Sequence, residues 1–88
     1  MRLRYKIIDR THGEPCHKLI LPRGSRIVDV VWTGTKLKVY YESTDSLRDQ
    51  IRRFWLIEPE YTDLPVGRYV GLLHADNLTS EYHVYTEY

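Results

Sequence analysis

Residues 26–42 read RIVDVVWTGTKLKVYYE, two runs of β-branched and aromatic residues joined through Thr33, Gly34 and Thr35. Such side chains suit a pleated, half-buried surface, and a glycine between two such runs gives the backbone the freedom a tight hairpin turn needs. With Gly34 and Thr35 as a two-residue turn, Trp32 faces Leu37, Val30 faces Val39 and Val28 faces Tyr41, while Val31, Asp29 and Ile27 face Lys38, Tyr40 and Glu42. Moving the turn back one residue changes the partners and leaves the faces alone. Because alternate residues of a strand point to opposite sides, one side is wholly apolar: Val28, Val30, Trp32, Leu37, Val39 and Tyr41. That is a core face, with each buried side chain contributing roughly 1.5–3 kcal/mol. The other side sets Ile27, Val31 and Tyr40 among Asp29, Lys38 and Glu42.

Outward from this hairpin the same grammar repeats. Short runs rich in Val, Ile, Tyr and Trp alternate with turn residues, and helical periodicity is almost absent. The expected strands are 2–9, 17–21, 27–33, 36–42, 51–58, 68–74 and 81–87, separated by THGEP, PRGS, TGT, EPEYTDLPVG and ADNLTS. The stretch 43–53, STDSLRDQIRR, reads as a loop or a short helical turn beginning at Thr44 or Asp45. The expected fold is all-β, a sandwich or partly open barrel of six or seven mostly antiparallel strands. The 88 residues make a single domain, residues 1–88, which buries only about 60–65 % of its unfolded surface.

Composition narrows the function classes. A formal charge of +1, with 28 % charged and 42 % apolar residues, is that of a soluble globular chain. No run approaches the roughly 18 apolar residues of a membrane span, and MRLRYKIIDR lacks the apolar centre of a signal peptide. A cytoplasmic setting is expected, and the single Cys16 agrees with it. Charge is unevenly spread. Residues 1–26 carry seven basic residues against two acidic ones, a net of +5, whereas residues 58–88 carry one against six, a net of −5. Pairing of basic with acidic strands inside the fold is the expected use of this asymmetry.

Short phrases carry a family resemblance: LPRG at 21–24 leading into RIVDVVW, RRF at 52–54, RYVG at 68–71 and YHVY at 82–85. In this order they resemble a family of small bacteriophage-encoded all-β proteins with an LP-x-G turn, an R-x-F strand, a Y-I-G strand and an H-V-F ending. The resemblance spans about three-quarters of the chain. It implies a viral protein acting in the cytoplasm of an infected bacterium. It also implies a register in which Phe54 and Leu56 turn inward and Arg53, Trp55 and Ile57 turn outward. An indole at an outward position covers a second layer or meets a partner.

Chemistry-bearing residues offer little for catalysis. Cys16 and His17 are adjacent, so on a strand they point to opposite faces. His12, His17, His74 and His83 form no close metal-binding motif, PRGS and TGT open no helix, and Glu58 and Glu60 flank a proline at a loop mouth. No enzyme activity, metal or cofactor is expected. Arg2, Arg4 and Lys6 share one strand face and could meet nucleic acid, or could guard an edge strand against aggregation. Against a nucleic-acid role stand the near-neutral total charge and the acidic final third. Eight tyrosines suit interfaces and core margins alike; Tyr41, Tyr69 and Tyr82 are placed in or near the core, and Tyr40, Tyr85 and Tyr88 outside. The preferred reading is a non-enzymatic phage accessory protein, a host-takeover or anti-defence factor, that binds a host bacterial protein through a sheet surface. Its expected contact residues are Ile27, Val31, Tyr40, Trp55 and Ile57, with Arg53 at the rim. A homodimer through the same surface is compatible with this, and a small nucleic-acid-binding barrel or a minor virion component are the alternatives.

Overall fold

The computed structural model describes residues 2–9, 15–34, 36–58, 60, 67–75 and 80–87. His12, Tyr88 and most of the turn segments THGEP, EPEYTDLPVG and ADNLTS lie outside the described residues. Seven strands follow in order: β1 (Arg2–Asp9), β2 (Cys16–Pro22), β3 (Arg26–Trp32), β4 (Lys36–Ser43), β5 (Asp49–Ile57), β6 (Arg68–Ala75) and β7 (Ser80–Thr86). They form two antiparallel sheets, ordered β1-β4-β3 and β2-β5-β7-β6. The expected all-β class and all seven strands are observed. Among the described residues there is no helix; residues 44–48 run as a bent loop, and β5 starts two residues earlier than its apolar run because Asp49 and Gln50 pair with Pro22 and Leu21.

The inner faces of the two sheets enclose one core. Leu19, Leu21, Phe54, Leu56, Leu73 and Val84 from the larger sheet meet Ile27, Val30, Leu37, Val39 and Tyr41 from the smaller. The thinnest extent of the molecule, 19 Å, fits two sheets about 10 Å apart with side chains on their outer faces. His17 is buried as well, its ring stacked on Phe54 at 5.1 Å. Along one side the layers meet where β3 runs beside β6, and the Arg68 guanidinium donates a hydrogen bond to the carbonyl of Ile27. At the other side β1 and β2 remain unpaired with each other.

The hairpin of residues 26–42 differs from expectation at one place. Trp32↔Leu37, Val31↔Lys38, Val30↔Val39 and Asp29↔Tyr40 pair as read from the sequence, but a bulge at Val28 then pairs Ile27 with Tyr41 and Arg26 with Glu42. An extra residue in one strand turns every residue beyond it to the opposite face. Ile27, expected outside, is therefore fully buried, and Val28, expected in the core, is half-buried. A second bulge, at Val70 between Tyr69 and Gly71, sends Tyr69 outward opposite Tyr85, so Tyr69 is 46 % exposed rather than part of the core.

Besides Gly34 in the hairpin turn, at φ +93°, Gly24 and Gly67 are required by the backbone. Gly24 has φ +85° in the turn closed by the Ser25 amide on the Pro22 carbonyl at 3.0 Å, the third position of a type II turn, where L-residues are strained. Gly67 lies so close to the end of β7 that a Cβ there would collide with the Thr86 carbonyl oxygen. Gly67→Ala is expected to lower stability by about 1–3 kcal/mol, read as a drop in urea midpoint with unchanged slope. An unchanged midpoint would mean that β6 does not enter the sheet this close to Thr86.

Candidate functional site

The larger sheet turns an aromatic face to solvent. Alternation on β2 and β5 places Cys16, Lys18 and Ile20 beside Trp55, Arg53 and Ile51, and Trp55 and Ile57 lie opposite Tyr85 and His83 of β7. On β6, Tyr69 pairs with Tyr85 and Leu72 with His83. Cross-strand rows follow: Cys16, Trp55, Tyr85 and Tyr69 in one, then Ile57, His83 and Leu72 in the next. The rings are in contact, with Tyr69 and Tyr85 edge-on at 5.2 Å and Tyr69 and His83 at 5.6 Å. A hydrogen bond of 3.0 Å between the Tyr69 hydroxyl and His83 Nδ1 ties two strands together across the face. Trp55, Ile57 and Tyr85 are half-buried, and Leu72 is 46 % exposed.

A charged row borders these residues. Lys18 pairs with Arg53 in the ladder, Arg53 Nη1 stands 3.1 Å from Glu87 Oε1, and the Thr86 hydroxyl and the Glu87 amide donate to the Arg53 carbonyl at 3.1 and 3.3 Å. Beyond it Ile20 and Ile51 pair directly, 60 % and 56 % exposed. At the far end His74 Nδ1 lies 3.7 Å from Glu81. Trp, Tyr and Arg are the residue types that dominate binding energy at protein interfaces, where Tyr and Trp present large rigid area at little entropic cost.

The outer face of the smaller sheet is of another kind. Leu3, Tyr5 and Ile7 of β1 stand beside Glu42, Tyr40 and Lys38 of β4. The Lys38 ammonium lies 4.2 Å over the Tyr5 ring and 5.1 Å over the Tyr40 ring. Its pKa is raised, first by the side-chain hydrogen bond with Tyr40 and then by charge interaction with the two tyrosines. Ion pairs Lys36–Asp9 (3.7 Å) and Arg26–Glu42 (3.3 Å) complete the face. Its apolar residues are islands among charges.

The six expected contact residues are therefore distributed over three places. Arg53, Trp55 and Ile57 come together on the larger sheet; Val31 and Tyr40 lie on the outer side of the smaller sheet, across the core; Ile27 is inside. Tyr69, Leu72, Ile20 and Ile51 belong to the exposed face and were missed. The last two were open to detection, since their positions alternate with the inward Leu19, Leu21 and Phe54. None of the ion pairs above joins residues 1–26 to residues 58–88, so these pairs do not realise the expected internal cancellation of the two charged ends. Among the described residues no three His, Cys, Asp or Glu side chains are grouped to hold a metal ion, and no helix is long and apolar enough to cross a membrane.

Fold and face together define an all-β, two-sheet protein whose larger sheet exposes an aromatic surface. Comparison of the chain with protein-family models, with curated proteins and with solved structures finds no match.

Proposed function

We propose that the chain is a non-enzymatic binding protein that docks another protein on the outer face of β2-β5-β7-β6. The carrying observation is the contiguous row Trp55–Tyr85–Tyr69 with Ile57 and Leu72 beside it, left accessible on a domain that had the same residue types available for its core. Contiguous exposed apolar area of this kind marks an interaction surface. The phrases LPRG, RRF, RYVG and YHVY support a bacteriophage setting, in which the chain acts in the cytoplasm of the infected cell and the partner is a host bacterial protein.

Trp55→Ala tests this, because the side chain is half-buried on the outer face and its loss leaves the core intact. The tagged wild-type protein is expected to retain a partner from infected cells that the variant loses, with affinity for the purified partner weakened by about 2 kcal/mol or more, roughly thirty-fold. Identical partners and identical oligomeric state for both proteins would refute the reading. A second copy of the chain is the other occupant the face suits. The row Lys18–Arg53–Glu87 runs from basic to acidic across the sheet, so a two-fold axis along the strands lays each basic end over an acidic one. Sedimentation of the purified protein separates the two occupants.

A further inference from the structure

The two edge strands that fail to meet point to a second docking place. β1 pairs only with β4, and β2 only with β5. Among the described residues a side-chain hydrogen bond links them, from Lys6 Nζ to the Ile20 carbonyl at 2.6 Å. A lysine side chain reaches up to about 6 Å from its Cα. With the hydrogen bond and the carbonyl beyond it, the two edges stand no more than roughly two ladder spacings of about 4.8 Å each apart at this point, room for one further strand at most. At the opposite corner β3 and β6 lie side by side. The barrel is thus closed at one seam and open at the other.

The walls of the opening specify what fits. Arg2, Arg4 and Lys6 pair with Ser43, Tyr41 and Val39, all buried on the inner side, so these three exposed cations stand on the inner side of β1, and an incoming strand would take over Lys6 from the Ile20 carbonyl it now holds. The outer lips carry Leu3, Tyr5 and Ile7 on β1, 65 %, 55 % and 54 % exposed, and Ile20 on β2, 60 % exposed, with the exposed Lys18 beside it. A strand lying between β1 and β2 alternates its side chains between these two environments. Acidic residues would turn inward to the cations, and apolar residues outward to the lips. A second copy's β1 is a poor occupant, since it brings Arg and Lys opposite Arg and Lys across a ladder.

We infer that the β1–β2 opening accepts an extended protein segment in which acidic and apolar residues alternate, pairing by its backbone with both edges. This does not rest on the Trp55–Tyr85–Tyr69 row, although Ile20 borders both surfaces. The probe is a short dye-labelled peptide of alternating glutamate and valine, tested beside its lysine and valine counterpart and beside oligothymidylate. The glutamate peptide alone is expected to bind, to protect alternate amides of both β1 and β2 from hydrogen exchange, and to bind about ten-fold more weakly when salt is raised from about 0.05 M to about 0.5 M. Arg4→Glu with Lys6→Glu alters two exposed side chains and should reverse the preference to the lysine peptide. Trp55→Ala should change none of this, which separates failure here from failure of the aromatic face. The inference is overturned if the glutamate peptide does not bind the wild-type protein, or binds without protecting both strands. Binding of oligothymidylate in its place would assign the basic wall to nucleic acid and equally overturn it. Should the double variant not fold, the wild-type exchange measurement decides alone.

Discussion

Replacing Phe54 with alanine is expected to remove about 3–5 kcal/mol of unfolding free energy, the range seen when a fully enclosed aromatic is truncated. Phe54 has no exposed surface, stacks on His17 and stands on β5, which is paired on both sides by β2 and β7. A chain of 88 residues has a total stability of about 4–13 kcal/mol, so the loss is a large share and can leave the variant substantially unfolded at ordinary temperature. Urea unfolding followed by tryptophan fluorescence measures it as a fall in midpoint. The next residue supplies the contrast. Trp55→Ala removes a larger side chain from the outer face, where it is half-buried, and should cost distinctly less stability than Phe54→Ala while removing binding. If the two substitutions cost the same, or the tryptophan variant costs more, the indole belongs to the interior and the aromatic face is not a free surface.

That neighbouring residues have such different fates was expected from the family resemblance and not from the strand itself, since IRRFWLIE sets apolar residues at both parities; β5 alternates without interruption in the register the resemblance implies. Phe54 and Leu56 are buried, and Arg53, Trp55 and Ile57 face outward. Runs of β-branched and aromatic residues between turn segments made the seven strands readable, with ends displaced by only one or two residues. Two kinds of information were not local. The first is which strands share a sheet: β3 and β4 went to one and β5 to the other, so outward residues on the hairpin and on β5 are separated by the core, although Val31, Tyr40, Arg53, Trp55 and Ile57 were each correctly oriented on their own strands. Nothing in a two-residue period encodes strand order. The second is the count along a strand. Bulges at Val28 and Val70 each add one residue, and valine there is as good a strand former as its neighbours. Ile27 and Tyr69 consequently exchanged the places expected for them. For Ile27 a signal did exist: the apolar pairs Ile27–Val28 and Val30–Val31 on either side of Asp29 put bulky residues at both parities, which a regular one-sided strand does not need.

The bulge can be tested by asking which of two adjacent residues holds the hairpin down. Ile27 is fully buried, packs in the core with Leu37, Val39 and Tyr41, and offers its carbonyl to Arg68 across the closed corner. Ile27→Ala should therefore cost about 2–4 kcal/mol. Val28 is half-buried at the bulge and has no opposite residue in the ladder, so Val28→Ala should cost less than about 1 kcal/mol. In a regular ladder the order reverses, because Val28 would then face Tyr41 inside and Ile27 would face Glu42 outside. Urea midpoints of the two variants discriminate these outcomes by a sign rather than a magnitude. A charge sharpens the contrast: Ile27→Lys would bury an unpaired ammonium and unfold the domain, while Val31→Lys, on the outer face beside Lys38, should leave it folded with only a small loss from like-charge proximity. A folded Ile27→Lys variant with a near wild-type midpoint would restore Ile27 to the surface and remove the bulge from the fold.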